Sequence, residues 1–136
     1  MKITLFTVES ANRMLPTIRP QLEELRRLKG ELDRAQSKVE VLELAMAGAS
    51  PTNPDVRERA SLVERRKLIA DRIQSLILKL QRTGCQLKDL DSGLVDFYSL
   101  AGDRLVFLCW RLGEPEVSHW HTLDGGFANR QRLELE

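Results

Sequence analysis

At 136 residues, with 21 basic and 20 acidic side chains and a net charge of +1, the chain has the length of one domain able to bury about two thirds of its unfolded surface. It lacks the broad positive field that nonspecific nucleic-acid binding needs. Its apolar runs fall far short of the roughly 18 residues of a membrane helix, which excludes a membrane span. Two cysteines and no secretory leader point to free thiols in a reducing, cytoplasmic setting. The charge is uneven: residues 53–83 hold eight Lys/Arg against four Asp/Glu, and residues 84–136 hold five against nine. Opposite poles of this kind favour self-association or internal docking.

Lys2 to Phe6 alternates apolar and polar residues and reads as a short edge strand. Thr7 has the chemistry of a helix N-cap, with Glu9 placed in the first turn where the helix dipole favours an acid. Pro16 and Pro20 each remove a backbone donor, so the expectation is a short helix near 8–14 that kinks or restarts at Pro16. From Leu25 the apolar series Leu28, Leu32, Ala35, Val39, Leu42 and Met46 alternates steps of three and four, the seam of a coiled coil. It ends at the breaker Ala47-Gly48-Ala49-Ser50-Pro51-Thr52-Asn53-Pro54, where Asn53 caps and Pro54 starts a second helix over about 54–82. That helix carries Val56, Ala60, Val63, Ala70, Ile73, Ile77 and Leu80 on one face, and Gly84 closes it.

After Gly84 the period changes from helical to alternating. Leu94–Ser99, Arg104–Trp110 and Val117–Thr122 read as an antiparallel meander turning at Ala101-Gly102-Asp103 and Leu112-Gly113-Glu114-Pro115. Its central strand is apolar on both faces, which predicts cover on each side, from the helices on one and from a second subunit or the N-terminal strand on the other. Asp124 to Glu136 is a glycine-bearing loop and tail, in which Gly125 and Gly126 permit positive φ and return Phe127 to the core. The fold class expected is α+β: one domain over residues 1–136, with a kinked, coiled-coil-like helical hairpin over 7–83. A three- to four-stranded antiparallel sheet and C-terminal loop occupy 84–136.

Both tryptophans, both histidines and one cysteine fall within 13 residues, Cys109 to His121, so function is sought there. His119 and His121 project from one face of a strand. Such a pair can present two ligands to zinc or another transition metal, with a third from Asp124, Glu116, Asp96 or Cys109. The structural alternative has His121 hydrogen-bonded to a carboxylate, with Asp124 the expected one, and His119 as an ordinary surface residue. Cys109 with His121 as base and Asp96 or Asp124 as orienter would form a nucleophilic set, although a cysteine in so apolar a strand more often packs as a small core residue. Trp110, Arg111, Glu114, Asp124 and Arg130 form a further group. They either pin the hairpin through an Arg111–Glu114 contact and arginine stacking on Trp110, or make a polar-rimmed aromatic patch that recognises a partner or a small anion.

The segment Cys109-Trp110-Arg111-Leu112-Gly113-Glu114-Pro115-Glu116-Val117, the Trp120-His121 pair, Leu123 to Phe127, Leu87-Lys88-Asp89, Gly93 to Phe97, Phe6-Thr7, Ala11-Asn12 and Leu15-Pro16 together resemble a bacterial family catalogued as domain of unknown function 2203. The resemblance covers nearly the whole chain. It implies an architecture and candidate residues rather than an activity. Ser10 departs from it, standing where the family more often has glutamate, and so does His119.

The expected function is a non-enzymatic interaction or assembly module, a homo-oligomer with an unidentified protein partner. It would act through Trp110, Arg111, Glu114, Trp120, His121, Asp124, Phe127 and Arg130, with no cofactor. The alternative is a metal-binding protein or metal-dependent enzyme whose zinc or similar ion is held by His119, His121 and an acidic third ligand such as Asp124. A helical nucleic-acid binder using Arg57, Arg59, Arg65, Arg66, Lys67 and Arg72 is the least favoured reading.

Overall fold

The structure is a computed structural model that describes residues 2–46, 48, 50 and 52–134. It is an α+β fold with two long helices, α1 (Val8–Ala45) and α2 (Pro54–Gln81). Five strands follow: β1 (Gln86–Asp89), β2 (Leu94–Ala101), β3 (Arg104–Arg111), β4 (His119–Thr122) and β5 (Gln131–Arg132). The strands form one antiparallel sheet in sequence order, β1 to β5, which is five strands where three or four are expected from sequence. Backbone contacts divide the chain into two compact units, one of residues 27–76 and one made of the chain to Arg26 together with the chain from Ile77 onward.

The expected restart of the helix at Pro16 does not occur. α1 is one helix that contains both Pro16 and Pro20. The two prolines are four residues apart and both exposed, while Ala11, Leu15, Ile18, Leu22 and Leu25 are buried on the other side. Carbonyls freed by the missing N–H groups therefore face water, which satisfies them, and burial of the apolar stripe outweighs the lost bonds. At its start, the Ser10 backbone N–H donates to Thr7 Oγ1 at 3.0 Å and the Thr7 N–H donates to Ser10 Oγ at 2.9 Å. This is a reciprocal capping box in which Ser10 does what glutamate does in the usual form.

Residues 2–6 form no strand. Only the Phe6 N–H pairs with the sheet, donating to Tyr98 O at 2.7 Å. β1 extends along β2 only as far as the Gln86–Asp96 pair, so the carbonyl beyond it is left for Phe6, whose ring meets Phe97 edge-on at 5.0 Å.

In the hairpin unit, Leu28, Ala35, Val39, Ile69 and Ile73 are buried, and Arg59 pairs with Glu43 at 2.7 Å. Asn53 Oδ1 accepts the Asp55 N–H at 2.9 Å, the N-cap read in the sequence. Ala47, Ala49 and Pro51 of the breaker, and Leu135 and Glu136 of the tail, lie outside the described residues.

In the other unit α2 ends at Gly84, with φ near 100° and so little room that a Cβ would lie 2.7 Å from Thr4. Only glycine fits there without strain. The β2–β3 hairpin turns through Gly102 and Asp103, pairing Ala101 with Arg104 and, counting back, Asp96 with Cys109. β4 pairs with β3 as His121 with Phe107 and His119 with Cys109. One sheet face carries Val95, Phe97, Leu108 and Trp110, all buried, and Arg19 of α1 lies over the Trp110 ring at 5.7 Å. Asn12 of α1 accepts the Val117 N–H at 2.7 Å. The opposite face carries Asp96, Phe107, Cys109 and His121. Among the described residues, no helix is long and apolar enough to cross a membrane.

A candidate metal centre on the second sheet face

β2 departs from simple alternation: Val95, Asp96 and Phe97 are all buried. Val95 and Phe97 fill the helix-facing core, and the residue between them is driven to the other face, where it is also covered. A buried carboxylate needs a partner. Asp96 Oδ2 has one in His121 Nε2 at 3.0 Å, with both side chains 3 % exposed. Its Oδ1 has no hydrogen-bond partner.

His121 is fixed at its other nitrogen. Nδ1 lies 2.7 Å from the Thr122 carbonyl oxygen, which can only accept, so Nδ1 carries the proton. In the neutral ring the lone pair is then on Nε2, facing Asp96. A backbone carbonyl that holds the far nitrogen of an imidazole in this way is the usual support of a metal-ligating histidine.

Cys109, opposite Asp96 in register and fully buried, completes the group. The ligand atoms of Asp96, Cys109 and His121 lie within 4.8 Å of one another, and no other such group of His, Cys, Asp or Glu occurs among the described residues. Burial raises the Asp96 carboxyl above its ordinary range, a shift partly offset by His121. Burial, followed by the Asp96 charge, pushes the Cys109 thiol up to about 12 against the smaller opposing pull of Arg130. A thiol held so firmly protonated is no nucleophile at neutral pH. Only a group that displaces its proton, as a transition metal does, would bring the sulfur into play.

Beside Cys109 lies a second polar cluster. Arg130 donates through both terminal nitrogens to the two oxygens of Glu114, at 2.9 Å each. Glu114 Oε1 accepts the Arg111 backbone N–H at 2.7 Å, so the expected Arg111–Glu114 contact is made through the main chain while Arg130 supplies the ion pair. Burial alone would raise the Glu114 carboxyl, but Arg130 and the Arg111 N–H outweigh it and hold it below its usual value. Phe127 is flanked by two guanidiniums, Arg130 at 4.3 Å and Arg111 at 5.2 Å. It is 37 % exposed, so the Asp124-Gly125-Gly126 loop does not return it to the core. Of the two glycines, only Gly126 takes a positive φ.

The structure thus redistributes the residues singled out in the sequence. His121 bonds Asp96, not Asp124, whose Oδ1 instead accepts from Thr122 Oγ1 at 2.8 Å. His119 turns away from His121, with Nδ1 3.0 Å from Ser118 Oγ and 3.7 Å from Glu114; burial first, then Arg130, keep its pKa below the ordinary value. His119, His121 and Asp124 are therefore not brought together as a ligand set, and Glu116 is exposed. Trp110 is fully buried, and its Nε1 donates to Glu114 O at 3.0 Å. The arginine stacking expected on Trp110 comes from Arg19. Trp120 is half-buried on the helix-facing side, opposite Leu108. Sequence reasoning missed Asn12 as a clamp on Val117, a long-range contact that spacing does not reveal.

No curated protein and no solved structure matches the chain. The family model described as "Uncharacterized conserved protein (DUF2203)" matches residues 4–133, and the chain belongs to that family.

Proposed function

We propose that this is a metal-binding protein that holds a zinc-like ion through Asp96, Cys109 and His121. The observation that carries the reading is the convergence of three different ligand atoms within 4.8 Å, with an orphaned carboxylate oxygen among them. A mixed sulfur, nitrogen and oxygen donor set suits zinc better than magnesium or calcium, which favour oxygen alone. Three protein ligands leave one tetrahedral position for water or a substrate group, as in catalytic zinc sites. Asp96 and Cys109 take the places that His119 and Asp124 hold in the sequence-based ligand set. Zinc titration of the reduced, tag-free protein against a chromophoric chelator tests the reading: one ion per chain is expected, and no competition with the chelator would refute it.

A second reading, an interaction or assembly surface, is supported by the exposed aromatic and aliphatic residues of the C-terminal loop, Phe127 at 37 % and Leu123 at 47 % exposure. Arginines flanking an exposed aromatic are common at interface centres. On this reading a second copy of the chain covers Phe127 and Arg111, and light scattering should find a dimer that Phe127→Ala weakens. A monomer at all concentrations would remove it.

A further inference from the structure

We propose that Gly125 is a positioning residue of this centre: the turn over 122–125 that it closes holds the Thr122 carbonyl on His121 Nδ1 and so aims Nε2 at the ion. This role rests on the metal reading above and adds to it a residue that does not itself touch the metal.

The Thr122 carbonyl is free for this use because of where the sheet ends. Just before β4 the Ser118 carbonyl accepts from the chain after β5, through the Leu133 N–H at 2.8 Å, so by alternation the Thr122 carbonyl faces the same edge. β5 pairs only as far as Trp120, which leaves that carbonyl to other donors. It accepts the Gly125 N–H at 3.1 Å, and it lies 2.7 Å from His121 Nδ1. The direction of the carbonyl therefore sets the direction of the ring, and a histidine that ligates through one nitrogen is oriented by what holds the other. Two further bonds fix the turn: Thr122 Oγ1 donates to Asp124 Oδ1 and Asn129 Nδ2 donates to Gly125 O, each at 2.8 Å.

Gly125 takes no positive φ, so its backbone angles do not call for glycine, whereas the space around it does. A Cβ there would lie 2.9 Å from Thr122 Oγ1 and 3.5 Å from both the N and the O of Thr122. The first of these is too close, and the hydroxyl cannot simply swing aside because Asp124 holds it. A larger residue would push Thr122 and turn its carbonyl off the ring. Loss of an orienting partner of this kind typically lowers metal affinity by about 10–100-fold.

The test compares wild type, Gly125→Ala and the double variant Thr122→Ala with Gly125→Ala. Zinc affinity is read by chelator competition, the His121 Nδ1–H by its downfield proton resonance in the zinc-loaded protein, and the metal-free fold by its melting temperature. Gly125→Ala is expected to lose about 10–100-fold in zinc affinity and to lose or shift the Nδ1–H resonance, with metal-free melting within a few degrees of wild type. In the double variant the hydroxyl that the new methyl would strike is gone, so affinity should return to within a few-fold of wild type. Unchanged affinity and resonance in Gly125→Ala, or a double variant as weak as the single one, would overturn the role. If Gly125→Ala fails to fold by circular dichroism, the double variant is compared with Thr122→Ala carrying Gly125→Pro, in which the N–H that holds the carbonyl is also removed. Weaker zinc binding with proline supports the role, and equal binding refutes it. A wild-type protein that takes up no zinc removes the metal reading and this role together, whereas equal binding by wild type and Gly125→Ala removes the role alone.

Discussion

Asp96 and His121 form a pair whose two ends are unequal. The ring is fixed by Thr122 O at Nδ1, whereas the carboxylate has one oxygen on Nε2 and one on nothing. Asp96→Asn puts a neutral amide, able to donate or accept, opposite Nε2 in place of the carboxyl group. It is expected to leave the metal-free fold intact, with a melting temperature within a few degrees of wild type, while abolishing zinc binding. His121→Ala instead strands a buried carboxylate and should lower stability by about 3–5 kcal/mol in urea unfolding. Cys109, buried and with its thiol pushed up to about 12, should resist iodoacetamide in the native protein at neutral pH and react after unfolding, as read by mass spectrometry. Rapid labelling of the native chain would contradict the burial and protonation described. The β2–β3 hairpin was legible in the sequence, though not its register: the expected turn, Ala101-Gly102-Asp103, includes Ala101, which pairs with Arg104, and that one residue decides that Asp96 faces Cys109 rather than Leu108. The partner of His121 was not legible either, because seven residues separate β3 from β4 and a loop of that length leaves the register free.

At the scale of elements, the helices and the three main strands follow from periodicity, and the exceptions have physical causes. The prolines of α1 do not break it because both stand on its wet side. Pro20→Ala should therefore stabilise the protein by up to about 3 kcal/mol, seen as a higher melting temperature; destabilisation would mean that the proline ring contributes packing. β1 and β5 are too short to carry a period. β5, only two residues long, is tied to the rest by Arg130, whose partner Glu114 is 16 residues away in sequence. That ion pair also sets a pH response. The folded Glu114 pKa is depressed, so its contribution to stability is present above the unfolded carboxylate value, about 4.3, and is lost as pH falls through the lower folded value. Glu114→Gln should be less stable than wild type at neutral pH and converge with it in acid. Parallel stability curves would show that the pair contributes nothing.

Across the whole molecule, the near-balanced charge and the absence of a membrane-length apolar helix among the described residues leave function to local chemistry, and that chemistry is concentrated on one sheet face. Aromatic and histidine clustering drew attention to residues 109–121, and the structure divides them by strand alternation. Trp110 goes to the helix-facing core, whereas Cys109 and His121 join a carboxylate from another strand. The measurement that tests this account most directly is metal content and zinc affinity of reduced, tag-free protein, made on wild type and on Asp96→Asn in parallel. The account predicts about one zinc per wild-type chain and none in a folded Asp96→Asn variant. A folded wild-type protein that takes up no zinc, or an Asp96→Asn variant that binds it equally well, would contradict it.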